Sequence, residues 1–375
     1  MPEVKLGDIA QERREVYKGD KALSPVVGLE HLTPGEIRLS AWDVGGDNTF
    51  SKAFFAGDVL FGRRRAYLKK AAQATVDGLC SGDITVIQAR ASRVSPDLLP
   101  FIIQNDAFFE FAVENSAGSL SPRVKWEHLA NYEIDLPSMD EQRKLASLLW
   151  AAYELKGSYE RLLRASDEMA KSRFIEMFGD PKTNPYGYDL SKLRNTCSVI
   201  TGNTPSRSVP QYYGNFIEWI KTDNIVPGVV NPTHAMEGLS QKGMAVGRTV
   251  DEGAMLMACI AGSIASIGKL CITNRKVAFN QQINAIIPRD YDIRFLYVML
   301  QISKNYLIED VSKSLKGILS KTKLEDKVFF VPPIALQKQF AAFVEELDKS
   351  KVELQRCIAD TDSIIKGLQN QMHGE

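Results

Sequence analysis

The stretch Leu136 to Leu149, LPSMDEQRKLASLL, returns near the other end of the chain as VPPIALQKQFAAFV, Val331 to Val344. Pro137 and Pro332 stand 195 residues apart (332 minus 137), and at that offset Gln142 pairs with Gln337, Ala146 with Ala341, Lys156 with Lys351, Arg161 with Arg356, Asp167 with Asp362 and Lys171 with Lys366. Apolar residues step by threes and fours in both copies. Leu145, Leu148, Ala152, Leu155, Tyr159, Leu162, Ser166 and Met169 answer to Phe340, Phe343, Leu347, Ser350, Leu354, Cys357, Thr361 and Ile364. This spacing predicts an a/d heptad seam on each of two long helices. No proline interrupts either before about Phe178 or Met372, so at ~1.5 Å per residue each helix runs roughly 50 Å. Such a rod with one apolar stripe is unstable alone. Each stripe packs on its own globular segment or on the other stripe, and the matched length and register favour the second.

The globular segments before the helices also echo each other. KLGDIA (Lys5–Ala10) answers to KLRNTC (Lys192–Cys197), AGDVLF (Ala56–Phe61) to EGAMLM (Glu252–Met257), SGDITVI (Ser81–Ile87) to NQQINAI (Asn280–Ile286) and GSLS (Gly118–Ser121) to GILS (Gly317–Ser320). Strand-like runs with Gly and Pro punctuation predict an α+β chain of two mixed α/β domains, each followed by a long helix, with the helices pairing as an antiparallel coiled coil. The expected boundaries are 1–138 and 189–333 for the domains, 139–178 and 334–372 for the helices, and 179–188 for a linker that Gly179 and Pro181 open.

Composition removes several classes. The 375 residues carry 46 basic and 46 acidic side chains. Residues 1–140 hold 16 Lys and Arg against 20 Asp and Glu, and residues 181–335 hold 18 against 12, so a nucleic-acid surface on the first segment must be a local basic cluster. The first twenty residues lack an apolar core, so no signal peptide is expected. GAMLMACIAGSIASIGKLCI (Gly253–Ile272) reads as strand, turn and strand rather than a membrane span. Five cysteines without a CxxC pair suit a reduced, cytoplasmic protein, and His31, His128, His234 and His373 lack metal-ligand spacing. NPYG (Asn184–Gly187) looks like the Asn-Pro-x-Tyr motif of base-flipping methyltransferases, but no glycine-rich turn for a methyl donor accompanies it, and a turn reading suffices. Asp83 stands without the clustered acids of a nuclease, and no phosphate-binding loop or nucleophile with a paired histidine is visible.

Taken in order, LSPRVKWEHLANYEIDLP, EQRKLASLL, FIEMFGDP and KLRNTCSVITGNTPSRSVPQYYGNFIEWIKTDNI resemble the specificity subunit of type I restriction-modification systems, over nearly the whole chain. The second helix start departs from the pattern, with Ala335 and Leu336 in place of Asp140 and Glu141. The resemblance implies a non-catalytic reader of a split, asymmetric double-stranded DNA target. Its two domains would be target recognition domains. Two methyltransferase subunits and restriction subunits would be its partners, S-adenosylmethionine and ATP would belong to those partners, and this chain would bind no cofactor or metal and no membrane. A coiled-coil scaffold that binds only proteins is the alternative.

DNA binding needs cations for phosphates and planar polar groups for base edges. FGRRRAYLKK supplies Arg63, Arg64, Arg65, Tyr67, Lys69 and Lys70, which would equally suit a solvated turn, and SPRVKW adds Arg123 and Lys125. In the second segment, TGNTPSRSVPQYYGN is a hydroxyl-rich loop with Thr204, Ser206, Arg207, Tyr212 and Tyr213, followed by Lys221, Asp223 and Asn224 in KTDNI. Lys269, Lys321 and Lys323 are phosphate candidates, and Gln281 could read adenine.

Overall fold

A computed structural model describes residues 3–46, 48–309, 311 and 317–372; His373 lies outside them. The chain forms two compact units, one from residues 1–159 with 357–375 and one from residues 160–356.

Unit 1 contains β1 (Glu3–Lys5), α1 (Leu6–Ile9), β2 (Ala10–Glu12), β3 (Pro25–Val27), β4 (Asp43–Val44), β5 (Lys52–Phe54), β6 (Val59–Gly62), β7 (Ala71–Gln73), β8 (Gly78–Cys80), β9 (Ile84–Ala89), α2 (Leu99–Ile103), α3 (Asp106–Glu114), α4 (Trp126–Leu129) and β10 (Glu133–Asp135). The long α5 (Met139–Phe178) follows. Unit 2 continues with β11 (Leu190–Lys192), α6 (Leu193–Thr196), β12 (Cys197–Thr201), β13 (Tyr213–Ile220), β14 (Gly238–Leu239), α7 (Gln241–Val246), β15 (Thr249–Val250), β16 (Met255–Ala258), β17 (Ile260–Ala261), β18 (Leu270–Ile272), β19 (Val277–Phe279), β20 (Ile283–Pro288), α8 (Ile293–Ile302), α9 (Lys304–Ile308), β21 (Gly317–Ile318), α10 (Lys321–Asp326) and β22 (Val328–Phe330), then α11 (Ile334–Asn370).

The two units repeat one topology. The sheets β1-β10, β2-β9-β6-β7 and β4-β3-β8-β5 of unit 1 recur strand for strand as β11-β22, β12-β20-β16-β18 and β14-β13-β19-β15 in unit 2. The central strands β6 and β16 are buried along their whole length because both faces are covered. In unit 1, Val59 and Phe61 of β6 join a core with Phe101, Phe108 and Leu149, while Leu60 faces Val27, Phe54 and Cys80 of the second sheet. In unit 2, Met255 and Met257 of β16 face Phe295 and Phe330, and Leu256 faces Cys271 and Phe279. The run read as strand, turn and strand is β16 to β18, paired antiparallel with Met255 opposite Ile272. Among the described residues no helix is long and apolar enough to cross a membrane.

Each unit holds segments of both long helices, and these run antiparallel. In unit 1 the Asp135 N–H, just before α5, donates to the Met372 carbonyl at 3.1 Å, and further along Lys156 Nζ meets Asp362 at 2.6 Å. In unit 2 Lys351 meets Asp167 at 2.6 Å, and the Phe174 and Phe340 rings lie 5.5 Å apart. Half of the expected α5 seam lies one position further along the helix. On α5 the expected Leu145, Ala152, Tyr159 and Ser166 are buried or half-buried, but the other half of the seam falls on Leu149, Lys156, Leu163 and Ala170; on α11 the covered positions include Ala341, Val344, Asp348, Lys351, Gln355, Ile358, Asp362 and Ile365. Leu148, Leu155, Leu162 and Met169, expected inside, are 46–56% exposed, and Ser350 and Ile364 of α11 are exposed as well. The other expected positions of α11, from Phe340 to Thr361, stay at least partly covered. The physical reason for the shift is that the true seam carries two ion pairs, so its hydrophobicity is diluted below that of the neighbouring stripe.

The shared geometry of the helix starts explains the repeated glutamine. Gln142 is buried; its Oε1 accepts from the Ser95 N–H at 2.9 Å and its Nε2 donates to the Pro137 carbonyl at 3.0 Å. Gln337, fully buried, accepts from the Asp292 N–H at 2.9 Å and donates to the Pro332 carbonyl at 2.8 Å and the Asp290 carbonyl at 3.3 Å. The departure at Glu141 also resolves. Ser138 donates to Glu141 from its backbone N–H at 3.0 Å and its hydroxyl at 2.7 Å, one half of a capping box. The matching residue in the second copy is Pro333, which has no N–H to satisfy, so Leu336 leaves nothing unpaired. α5 ends where Gly179, at φ 77°, takes the left-handed conformation and donates its N–H to the Ile175 carbonyl at 2.8 Å.

Gln142→Leu strands a buried backbone N–H and Gln337→Leu a partly buried one together with two carbonyls, and each should lower stability by about 1–3 kcal/mol in urea melts. An unchanged midpoint would show that the amide is dispensable. Glu141→Ala should cost about 0.5–2 kcal/mol in the wild-type chain and close to nothing in a Ser138→Pro background. A double-mutant cycle without coupling would refute the capping account.

Candidate nucleic-acid interface

In unit 1 the cations cluster around the turn that leaves β6. Arg65 (φ 54°) and Lys69 (φ 50°) are left-handed, an uncommon conformation for residues with a Cβ. The turn is held by the Arg65 N–H on the Pro122 carbonyl at 2.8 Å and the Gly62 N–H on the Lys70 carbonyl at 2.8 Å. This lifts Tyr67 to its crest, 54% exposed. Lys69 ion-pairs with Asp106, and Lys70 donates to the Leu29 carbonyl at 2.6 Å. Arg63 instead lines a cleft of about 560 Å³ with Lys52, Lys125, Trp126, Glu12 and Arg14. Arg64 and Arg123 converge on one carboxylate. Arg123 Nε lies 2.8 Å from Asp83 Oδ1, and Arg64 Nη1 lies 3.3 Å from Oδ2. Burial would raise the Asp83 carboxyl, but hydrogen bonds and charge from Arg123 and Arg64 outweigh it and hold the group below the usual carboxylate range.

In unit 2 the loop after β12 starts at Gly202, where a Cβ would stand 2.1 Å from the Asn280 carbonyl oxygen; only glycine permits that approach. Thr204 donates to Gln281, and Ser206 and Ser208 share a hydrogen bond of 2.7 Å. Arg207 lies over the Tyr213 ring at 4.4 Å and ion-pairs with Glu237, which also takes Lys221. Lys221 sits 5.1 Å from the Trp219 ring centre, and the Tyr213 hydroxyl donates to the Pro205 carbonyl at 2.6 Å. The hydrogen bond from Arg207, helped by Lys221, outweighs the opposing effect of burial and keeps the Glu237 carboxyl below its usual range.

Of the residues expected from sequence, Thr204, Ser206, Arg207, Tyr213, Lys221 and Gln281 are thus gathered on one surface, with Asp223 exposed beside them. Tyr212 is half-buried, its carbonyl accepting from the Ser240 N–H at 3.0 Å. Asn224 turns inward: it is 8% exposed, and its amide accepts from the Lys221 N–H at 3.0 Å and donates to Thr233 and the His234 carbonyl. The equivalent turn of unit 1 uses His31 in this role, accepting from the Gly28 N–H at 2.9 Å, which marks Asn224 as a turn-closing residue. Lys269 lines a separate cleft with Lys171 and Lys304. Lys321 lies 3.6 Å from Glu325 on α10, and Lys323 is exposed on the same helix. Asn184 of NPYG closes its own turn, bonding the Tyr188 N–H and carbonyl. Asp83 and Glu237, the carboxylates that organise both clusters, were not assigned this role by the sequence; Glu237 lies far along the chain from Arg207, and only folding joins them. Among the described residues no group of His, Cys, Asp or Glu is placed to hold a metal ion.

The architecture defines a class: one α+β unit built twice, each copy packed on antiparallel segments of two long helices. Residues 185–360 match the family model described as the type I restriction modification DNA specificity domain. It is 26% identical over 199 residues to the HindI specificity subunit of Haemophilus influenzae, a match covering 50% of this chain and 42% of that protein. It is 23% identical over 291 residues to the MjaIX specificity subunit of Methanocaldococcus jannaschii, covering 71% of this chain and 65% of that one. The chain therefore spans less than two thirds of the length of either relative. Its fold matches the crystal structure of a type I system S subunit from M. genitalium, with TM-score 0.58 and 11% identity over 98% of this chain and 94% of that one. It also matches a chain from a structure describing assembly and conformational transition of a type I system, with TM-score 0.54 and 21% identity over 99% and 95%.

Glu237 supplies a pH prediction. Its folded carboxyl titrates below its unfolded value, so its stabilising contribution is complete above the unfolded value and is lost as pH falls through the folded one. Glu237→Gln should lower stability at pH 7 and flatten the loss of stability below about pH 4. Urea melts at pH 7 and pH 3 check this; parallel curves for the two proteins would contradict it.

Proposed function

We propose that this chain is the sequence-specific DNA-binding subunit of a type I restriction-modification complex. Each unit reads one half of a bipartite, asymmetric duplex target, the spacer between the halves follows the length of α5 and α11, and catalysis resides in partner subunits that carry S-adenosylmethionine and ATP. The observation that carries this reading is the duplication. One strand order is built twice, and the loops it presents hold different cationic and aromatic sets, Arg64, Tyr67 and Arg123 in one unit and Arg207, Tyr213 and Lys221 in the other. A reader of two unlike half-sequences needs that combination of a constant scaffold and variable side chains.

Two modification subunits and, where present, restriction subunits would dock on the same chain. The exposed stripe Leu148, Leu155, Leu162 and Met169, repeating every seven residues along α5, supports docking of a partner helix by coiled-coil packing. The same stripe, with cations already paired to Asp83 and Glu237, favours the protein-binding scaffold as the second reading.

Selection from a randomised duplex library by the chain assembled with modification subunits separates the two. Enrichment of one bipartite sequence supports the DNA reader, and purely salt-dependent, sequence-blind retention supports the scaffold. Removing one heptad from both α5 and α11 should change the permitted spacer and leave both half-sequences intact. An unchanged spacer with an altered half-sequence would refute the ruler role of the helices.

A further inference from the structure

The repeated topology allows the two units to be compared position by position. In unit 1 the Arg63 N–H donates to the Asp83 carbonyl at 3.0 Å, Arg64 bridges Arg123, and the Val124 N–H donates to the Arg63 carbonyl at 3.0 Å. In unit 2 the Cys259 N–H donates to the Gln282 carbonyl at 2.8 Å, Ile260 pairs with Ile318, and the Leu319 N–H donates to the Cys259 carbonyl at 2.8 Å. The backbone ladder is the same, so Arg64, Asp83 and Arg123 occupy the places of Ile260, Gln282 and Ile318. The scaffold keeps its shape with two isoleucines and an amide there, and hence does not need the charges to hold its fold.

The charged version has a geometry suited to recognition. Arg123 binds Asp83 through Nε at 2.8 Å and Nη2 at 3.4 Å, which leaves Nη1 without a protein partner among the described residues. Arg64 is fixed from both sides, by Ser121 Oγ at 2.6 Å and by Asp83. The Arg64 and Arg123 side chains remain 39% and 45% exposed, whereas Asp83 is 22% exposed behind them. A guanidinium locked along one edge presents its other edge in a fixed plane, with little side-chain entropy left to lose on contact. Two outward N–H groups in one plane match the O6 and N7 acceptors of guanine in the major groove.

We propose that Arg123 reads a guanine in the half-target of unit 1, with Asp83 as the positioning residue that aims it and Arg64 as the second, supporting cation. The assignment rests on the DNA-reading role proposed above and goes beyond it by naming the base and the residue. At the equivalent corner, unit 2 offers Ile260, Gln282 and Ile318, so it makes no arginine contact there and its half-target is read from elsewhere on that unit.

The test is library selection by the full chain assembled with modification subunits, using wild type, Arg123→Lys, Asp83→Asn and the triple replacement Arg64→Ile, Asp83→Gln, Arg123→Ile. Wild type should enrich a bipartite sequence with guanine at one fixed position of one half. All three variants should lose about ten- to a hundredfold of the discrimination at that position. The other half-target and the salt dependence of binding should stay as in wild type, and the triple replacement should keep a wild-type-like thermal transition. Equal weakening on every sequence with a shallower salt dependence would make Arg123 a phosphate contact and overturn the assignment, as would an undiminished guanine preference in Asp83→Asn. Loss of the folded transition in the triple replacement would show a structural staple and overturn it too. If wild type itself enriches no bipartite sequence, the DNA-reading role fails as well, an outcome distinct from enrichment that is indifferent to Arg123.

Discussion

The amide buried in the first turn of each long helix is the constraint from which the rest follows. A helix of about forty residues with one covered stripe has to be fixed in rotation before its seam can form. Gln142 and Gln337 do this by bonding at once to the proline carbonyl behind them and to a backbone N–H of the neighbouring globular segment, at Ser95 and Asp292. Each such group left unpaired would cost about 1–3 kcal/mol, so the rotation of the helix is specified more sharply than apolar contacts alone could specify it. With the rotation set, Lys156 and Asp362 face each other, as do Lys351 and Asp167. The four residues are the two identities Lys156 with Lys351 and Asp167 with Asp362 at the 195-residue offset, so each lysine of the repeat bonds the aspartate of the other copy.

These ion pairs act on specificity more than on stability. The Lys156 and Asp362 side chains are 26% and 43% exposed, and pairs in that setting contribute roughly 0–1 kcal/mol. Lys351 is different, with a side chain only 9% exposed between Asp167 and Asp348. Burial, eased by the Lys351 and Arg294 charges, raises the Asp348 carboxyl, a sign that the site tolerates its second acid at some cost. A one-residue slip of either helix would take Asp167 from the buried Lys351 and leave it only Asp348 of its own helix, whereas an apolar seam would accept several registers.

The two copies diverge where the scaffold permits it. Strand order, the turn-closing residue (His31 or Asn224), the glutamine and the proline are constant or equivalent, because backbone donors and acceptors depend on them. Side chains on the exposed edges of the ladders carry no such duty, and there the units differ most: charged at Arg64, Asp83 and Arg123, apolar or amide at Ile260, Gln282 and Ile318. Each unit nonetheless ends with two cations sharing one acid. Holding a cation in a fixed direction is worthwhile when it must meet a planar partner, since a free lysine or arginine tip would serve a phosphate equally well.

What could be read from the sequence divides along the same line. The two long helices, the duplicated strands and the buried hairpin at Gly253–Ile272 were legible because periodicity and local turn chemistry encode them. Half of the α5 seam was misplaced by one residue because hydrophobicity points to Leu148, Leu155, Leu162 and Met169, while the true contact face contains Lys156, Glu160 and Asp167. A stripe of leucines left outside and a stripe with charges taken inside cannot both be explained by the chain packing on itself. The first is the surface on which a partner helix is proposed to dock, and the second is answered by the complementary charge the repeat already supplies. The acids behind the arginines were illegible for a related reason: Asp83 and Glu237 owe their roles to pairings across 40 residues, to Arg123, and 30 residues, to Arg207. No local pattern records a pairing that only the finished sheet brings about.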